Sequence, residues 1–427
     1  MNSKIKQDLP KLIENGVISE EVAKKIENYY SSQSNSSSNK LFTIFGVLGS
    51  LLVGLGIILI LAHNWDEFSK TTKTILAFLP LLVAQIIVGY SILKKKTSTW
   101  LEASGVFLFF AVGSSISLIS QIYNIPGSLS SFLLSWILLC LPLVYLLNSK
   151  GVYLLSILFA TVYACDLGYS FSNGHKTPWF YILILILLLP KYYYQLKNKI
   201  ENNFATILNW LFPLSIIIVF GAFLNASFKF ELLLYTLLLG VIYNIGYVKS
   251  FQNIKSAKNG FLILGSLGLV ITMLIISFED FWFANSKLST VLIKEISIGI
   301  ILLFVTIFLL IKNKSFTKNK FKNLFQFIPF LLIIFYLAHL LDNKITIVLV
   351  NITVFILGIT IIKKGVNKAN FIYLNYGLLI ITGLIACRFF DTDMTFIVRG
   401  LLFILVGSGF FATNYLMLKK QEKNLKK

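Results

Sequence analysis

The chain consists of long apolar stretches separated by short polar segments. The stretches are continuous runs of Leu, Ile, Val and Phe without strand-like alternation, which favours helices over a membrane barrel. A helix needs about 20 apolar residues to cross roughly 30 Å of hydrocarbon. The pattern predicts fourteen spans, of which the fifth and sixth are short, near residues 41–62, 73–92, 100–121, 129–147, 150–165, 178–190, 205–224, 230–248, 259–277, 291–311, 324–341, 345–362, 371–386 and 394–418.

The predicted fold class is therefore all-α, a polytopic transmembrane helix bundle over residues 41–418. A Ser- and Asn-rich linker at 31–40 precedes it, and a basic tail at 419–427 follows it. Such a linker is expected to be a flexible tether.

Residues 1–30 form a separate unit, predicted to be a small helical hairpin with its turn at Gly16. Ser19 is placed to cap the second helix, with Glu20 and Glu21 in the first turn. A hairpin of this size rarely folds alone, so it is expected to dock on a protein partner or on another copy of the chain. The alternative is a passive cap on the first span.

Charge defines the predicted topology. The chain is 56% hydrophobic and 13% charged, with a net charge of +20, a balance that would suggest nucleic acid binding only in a soluble protein. Lys-rich and Lys-poor loops alternate, so that one side carries 29 of the 38 basic residues and the other carries eight, with Arg399 inside the last span. The positive-inside rule then predicts that both termini are cytoplasmic. Membrane lipids are the expected partners, because the lysines suit an anionic leaflet.

The first outer corner, His63-Asn64-Trp65-Asp66-Glu67, holds the densest chemistry of any loop. Asp66 and Glu67 could serve as a metal-binding or general-base pair in a membrane transferase. The structural reading is that Asn64 ends a helix and Trp65 lies in the aromatic belt. His63 has no second imidazole at ligand spacing, so neither a metal site nor a cofactor is predicted.

The third span is rich in small residues and leads into a polar turn. Gly113, Ser117 and Gln121 share one helical face, and Tyr123 follows them. This face could line a polar passage for a ligand or could hold two helices together.

Arginine is rare: the two arginines are Arg388 and Arg399, beside 36 lysines. Because an ionisable residue inside a span is costly, Arg399 is a candidate for contact with a substrate or a lipid phosphate. The alternative is a structural ion pair, or a side chain that reaches the interface. The candidate carboxylate partners are Asp391, Asp393, Glu279, Asp280 and Glu295.

Several segments together resemble a bacterial family of predicted membrane proteins, domain of unknown function 2157. They are residues 12–19, 54–66, 121–136 and 399–414, which include Gly54-Leu55-Gly56, Ala62-His63-Asn64-Trp65-Asp66, Gln121-Ile122-Tyr123, Gly127 and Arg399-Gly400. The resemblance implies a multi-pass protein of the bacterial inner (cytoplasmic) membrane. It brings no catalytic residues or ligand with it.

Three functions remain open. A transporter or flippase for a small molecule or lipid is favoured by the number of spans, by prolines within spans and by Arg399. A non-enzymatic scaffold or sensor subunit is favoured by the hairpin and by isolated amides, such as Asn209 and Asn244, that join helices. A membrane-embedded transferase using Asp66 and Glu67 is the third. Nucleotide-binding and nucleophile motifs are not found.

Overall fold

The computed structural model describes residues 9–10, 12–33, 65–169, 176–198, 202–225, 227–251, 254–283, 293–313, 323–391 and 396–425. Within these ranges the regular elements are helices, and no strand occurs. The α-helices are α1 (Glu20–Gln33), α2 (Lys70–Leu93), α3 (Ser98–Ile122), α4 (Leu129–Leu146), α5 (Lys150–Gly168), α6 (Trp179–Asn198), α7 (Asn203–Phe220), α8 (Phe228–Ile245), α9 (Gly260–Ile275), α10 (Glu279–Phe283), α11 (Ile293–Lys312), α12 (Ile328–His339), α13 (Asn343–Lys368), α14 (Phe371–Asp391) and α15 (Phe396–Leu425). The all-α prediction is confirmed.

Ten helices in the described part of the chain are long and apolar enough to cross a membrane, namely α2 to α8, α11, α13 and α14. Helices α9 and α12 match two further predicted spans but have 16 and 12 residues. At 1.5 Å per residue they are about 24 and 18 Å long, less than the hydrocarbon thickness. The predicted span at 41–62 lies outside the described residues, so the count of fourteen stays a prediction.

The chain forms two compact units, residues 1–79 and residues 80–427. In the first unit, residues 12–14 are helical and Gly16 turns the chain with φ of 66°. The Ser19 hydroxyl then accepts from the Val22 amide at 3.4 Å, as expected of a helix cap. Two helical segments thus meet at the predicted turn, whereas the docking role of this hairpin stays a prediction.

Helix α8 is the central element of the second unit, because it contributes to both of its large apolar cores. Leu238 and Ile242 pack into a core built mainly by α3 to α7. Their neighbours Leu239 and Tyr243 pack into another core, built by α9, α10 and α12 to α14. Adjacent residues on a helix point in different directions, so one helix can join two cores.

Helix α6 differs from the predicted sixth span, which ends at residue 190. The helix continues through Pro190 to Asn198, and Lys191, predicted to lie in a loop, is buried. Its ammonium donates to the Val144 carbonyl, in the last turn of α4, at 2.9 Å and to the Ser149 carbonyl, just before α5, at 3.2 Å. A cation is favourable at the C-terminal end of a helix, which explains why this lysine is buried.

Helices α13 and α14 form a tightly packed antiparallel pair. A Cβ atom on Gly377 would lie 2.8 Å from the Gly358 carbonyl oxygen and 2.8 Å from the Ile362 amide nitrogen. Only glycine fits at such a distance, so the two backbones approach as small residues allow in membrane helices. This pair forms one wall of the candidate site.

Candidate functional site

A cavity of about 260 Å³ lies between the ends of α8, α9, α13 and α14. Ser266, in its lining, is six residues from the start of α9, and Thr360 is eight residues from the end of α13. At 1.5 Å per residue, the cavity extends about 10 Å along the helices. It is therefore a recess in the helix bundle that is partly open to the surface.

The mouth of the cavity joins three loops that the charge pattern assigns to the same side. Ser256, Asn323 and Asn370 belong to the connections that follow α8, α11 and α13, respectively, and all three line the cavity. The Ser256 and Tyr373 hydroxyls share a hydrogen bond of 3.1 Å. The predicted alternation of loops is therefore consistent with the arrangement of these helices.

Lys364 carries the only charge among the described residues that line the cavity. Its ammonium lies 4.9 Å from the centroid of the Tyr373 ring, a cation–π distance. Asn370 accepts from the Ile372 and Tyr373 amides at 2.9 and 3.4 Å, which fixes the start of α14 beside this lysine. One side of the mouth thus presents an ammonium group, hydroxyls and a carboxamide.

The deeper part of the cavity is apolar and aromatic. The Phe325 and Tyr376 rings stack with their centroids 6.4 Å apart, and the Tyr243 ring lies 5.2 Å from Phe325. The Tyr243 hydroxyl donates to Asn323 at 3.0 Å, so its polar end is satisfied. The hydroxyl oxygen of Tyr376 is buried near the Ser266 hydroxyl, which donates to the Ile263 carbonyl.

The opposite ends of the same helices are held together by Arg388. Its guanidinium donates to the carbonyl oxygen of Ser277, just beyond the end of α9, and lies over the Phe278 ring. Asn351 of α13 donates to the same carbonyl at 3.5 Å. Arg388 is 17 residues from the start of α14, about 25 Å from the cavity mouth. This contact joins α9, α13 and α14 at the end remote from the cavity.

The residues predicted on the third span are not brought into this cavity. Ser117, Gln121 and Tyr123 are exposed on or just after α3. Gly113 is buried, and a Cβ atom there would lie 2.2 Å from the Trp136 ring. In the described part of the chain, the contact made on this face is therefore helix packing at Gly113.

Arg399 lies in α15, whose backbone is described, but its side chain is outside the described residues. The choice between a substrate contact and an ion pair stays open. Of its candidate partners, Glu295 is fully buried and accepts from the Asn225 amide at 3.2 Å. Lys294 lies 3.7 Å from the same carboxylate oxygen.

At the first outer corner, His63 and Asn64 lie outside the described residues. Trp65, Asp66 and Glu67 form a short 3₁₀ turn in which both carboxylates are exposed. The Lys73 ammonium lies 5.8 Å from the Trp65 ring centroid. No group of three or more metal-ligating side chains is found in the described part of the chain.

The isolated amides Asn209 and Asn244 join helices. Asn209 accepts from the Tyr192 hydroxyl at 2.9 Å and donates to the Lys258 carbonyl at 3.2 Å. Asn244 accepts from Gln326 at 3.1 Å and donates to Gly240 at 2.9 Å. Each of the two side chains donates and accepts within the protein, so neither is a ligand contact in this structure.

Sequence reasoning did not identify the cavity. Its polar residues are common types at unremarkable spacings, spread from Tyr243 to Tyr376. One signal was available: the stretches 232–278, 296–341 and 343–390 contain no Asp or Glu. Their lysines therefore have no acidic counterpart in these stretches, but residues 103–165 of the first half lack Asp and Glu as well, so this signal alone does not locate the cavity.

The model of the family described as predicted membrane protein (DUF2157) matches residues 10–153, which confirms the resemblance over that part of the chain. No curated protein and no solved structure gives a significant match. The cavity lies wholly beyond the matched residues. The protein is a predicted multi-pass membrane protein, and comparison assigns no ligand to it.

Proposed function

We propose that this protein is a transporter- or flippase-like membrane protein that takes a small molecule or a lipid into the cavity between α8, α9, α13 and α14. The observation that supports this proposal is a recess that is open at one end of the bundle, while Arg388 joins α9, α13 and α14 at the other end. Transporter sites lie between helices, within the membrane, and become accessible from each side in turn.

The lysine pattern supports placing the cavity mouth on the cytoplasmic side of a bacterial inner membrane, with both termini on that side. In this arrangement the structure corresponds to an inward-open state. The Arg388–Ser277 contact would be the closed outer gate, and α9, α13 and α14 would separate at that end when the mouth closes.

The alternative is a non-enzymatic scaffold or sensor subunit. The observation that favours it is the use of Asn209 and Asn244 for helix joining. A scaffold requires no second opening, so access to the cavity from one side only is the property that distinguishes the two accounts.

Thiol labelling from both sides of the membrane tests the proposal. The three native cysteines are first replaced by alanine, and Ser266→Cys is introduced as a reporter inside the cavity. Right-side-out and inverted vesicles are then exposed to a membrane-impermeant maleimide. We expect labelling from both sides, faster from the mouth side, and Arg388→Ala should accelerate it from the opposite side.

Ser156→Cys is the matched control, because Ser156 is fully buried and does not line the cavity. It should be labelled from neither side. Labelling of Ser266→Cys from one side only, even with Arg388→Ala, would contradict alternating access and favour the scaffold.

A further inference from the structure

The chemistry of the cavity also narrows the class of ligand, provided that the proposed function holds. The three connections that the charge pattern assigns to the mouth side carry eleven lysines in the sequence, between Lys249 and Lys368. The stretches 232–278, 296–341 and 343–390 contain no acidic residue. A positive field without acidic neighbours attracts anions and disfavours cations.

The polar groups at the mouth suit an anionic head with several oxygens. Lys364 supplies a compact positive charge, and the Tyr373 and Ser256 hydroxyls, which share a hydrogen bond of 3.1 Å, leave one O–H free to donate. Lysine binds phosphate as a point charge and needs no planar partner, and the described lining contains no arginine.

The remainder of the lining suits a hydrocarbon chain. Leu267 and Ile361 contribute apolar wall, and Phe325 contributes aromatic wall. Leu267 and Ile372 are also 38% and 75% exposed, so the cavity edge reaches the apolar outer surface of these helices. A hydrocarbon chain of a ligand that starts in the cavity can therefore continue into the surrounding bilayer.

The size of the cavity favours binding of one part of a larger ligand over complete enclosure of a small molecule. Its volume of about 260 Å³ is just below the range of sites that enclose a drug-sized molecule. It is sufficient for a head group and the first part of a chain, with the rest of the chain outside.

We propose that the cavity binds a phosphate-bearing lipid, with the phosphate between Lys364, Tyr373 and Ser256 and the chain along Leu267, Ile361 and Phe325. A lipid phosphate and free phosphate share the head-group chemistry, and the chain is what distinguishes them. The apolar wall favours the lipid.

Binding to the full chain, purified in a neutral detergent, tests this proposal by native mass spectrometry. The probes are dioctanoyl phosphatidic acid, dioctanoylglycerol and inorganic phosphate. We expect saturable binding of phosphatidic acid, with the other two at least about tenfold weaker, because each lacks one half of the recognised chemistry. Equal binding of inorganic phosphate would overturn the lipid assignment, and equal binding of dioctanoylglycerol would overturn the phosphate assignment.

Two variants locate the site. Lys364→Gln should weaken phosphatidic acid binding about tenfold, in the range expected for one charge-assisted contact. Lys363→Gln removes the same charge one residue away, outside the cavity lining, and should change binding less than about twofold. Leu267→Trp should obstruct the chain and weaken binding as well. Equal effects of the two lysine substitutions would mean non-specific attraction and would refute the site.

If Lys364→Gln fails to fold, Lys364→Arg and Leu267→Trp still test the site. Lys364→Arg should retain phosphatidic acid binding, and Leu267→Trp should lose it. This binding measurement requires no movement of the protein. Failed binding with two-sided thiol labelling would refute the ligand class alone. Specific binding with one-sided labelling would refute transport alone.

Discussion

The buried amide pair Asn244–Gln326 provides a quantitative test of how α8 is held in the bundle. Asn244 is fully buried and Gln326 is 2% exposed, and the Gln326 amide donates to the Asn244 side chain at 3.1 Å. Asn244→Leu preserves the approximate volume but leaves the Gln326 amide without this acceptor. Leaving a buried donor unsatisfied costs about 1–3 kcal/mol, so we expect a loss of about 2 kcal/mol in the free energy of unfolding.

Gln326→Leu should have a similar cost, because it removes the donor to Asn244. The double variant should be less destabilised than the sum of the two single variants, by about 0.6 kcal/mol and at most about 1.7 kcal/mol, the average and the maximum found for hydrogen bonds between membrane helices. The free energies are obtained from reversible unfolding in mixed micelles. Asn375→Leu, on an exposed position of α14, is the matched control and should be near neutral. Additive losses in the double variant would refute the inferred coupling.

Three further predictions follow from the described contacts. Gly377→Val should lower the free energy of unfolding by about 3 kcal/mol, as overpacking does. Gly89→Val is the control and should not lower it, because there is open space around Gly89. Unchanged thermal melting of Gly377→Val would contradict the close approach of α13 and α14. Glu102→Ala should lower the free energy of unfolding by about 2 kcal/mol, because the carboxylate accepts from the Ser149 hydroxyl and the Lys150 and Gly151 amides at the start of α5. Glu67→Ala removes an exposed carboxylate and is the control in the same melting assay. A phosphatase reporter fused after Lys96 should be inactive, as expected in the cytoplasm, and an active fusion would overturn the predicted topology.

The pattern of apolar stretches was sufficient to predict the helical fold, since hydrophobic length is a strong signal. It failed at the end of the sixth span, because a proline followed by a lysine indicates a loop. In the structure Pro190 is accommodated within α6, and the Val144 carbonyl in the last turn of α4 makes the burial of Lys191 favourable. Sequence alone does not reveal which helix end is near enough to satisfy a lysine.

The candidate site could not be predicted for a related reason. Arg399 and the outer corner were selected because their residue types or their combination are unusual in this chain. The cavity is built from common residue types, such as Ser256, Lys364 and Tyr373. These residues are separated by more than 100 positions between the first and the last, and only the packing of α8, α9, α13 and α14 brings them together. The absence of acidic residues is not a sufficient signal, because residues 103–165, which do not line the cavity, lack Asp and Glu as well.

The most direct test of the central claim is a structure of the full chain in nanodiscs that contain phosphatidic acid. The account predicts density in the cavity, with a head group in contact with the Lys364 ammonium and a chain that passes Leu267. A cavity filled by the protein's own side chains, or one without lipid density while Arg388 stays on Ser277, would contradict it.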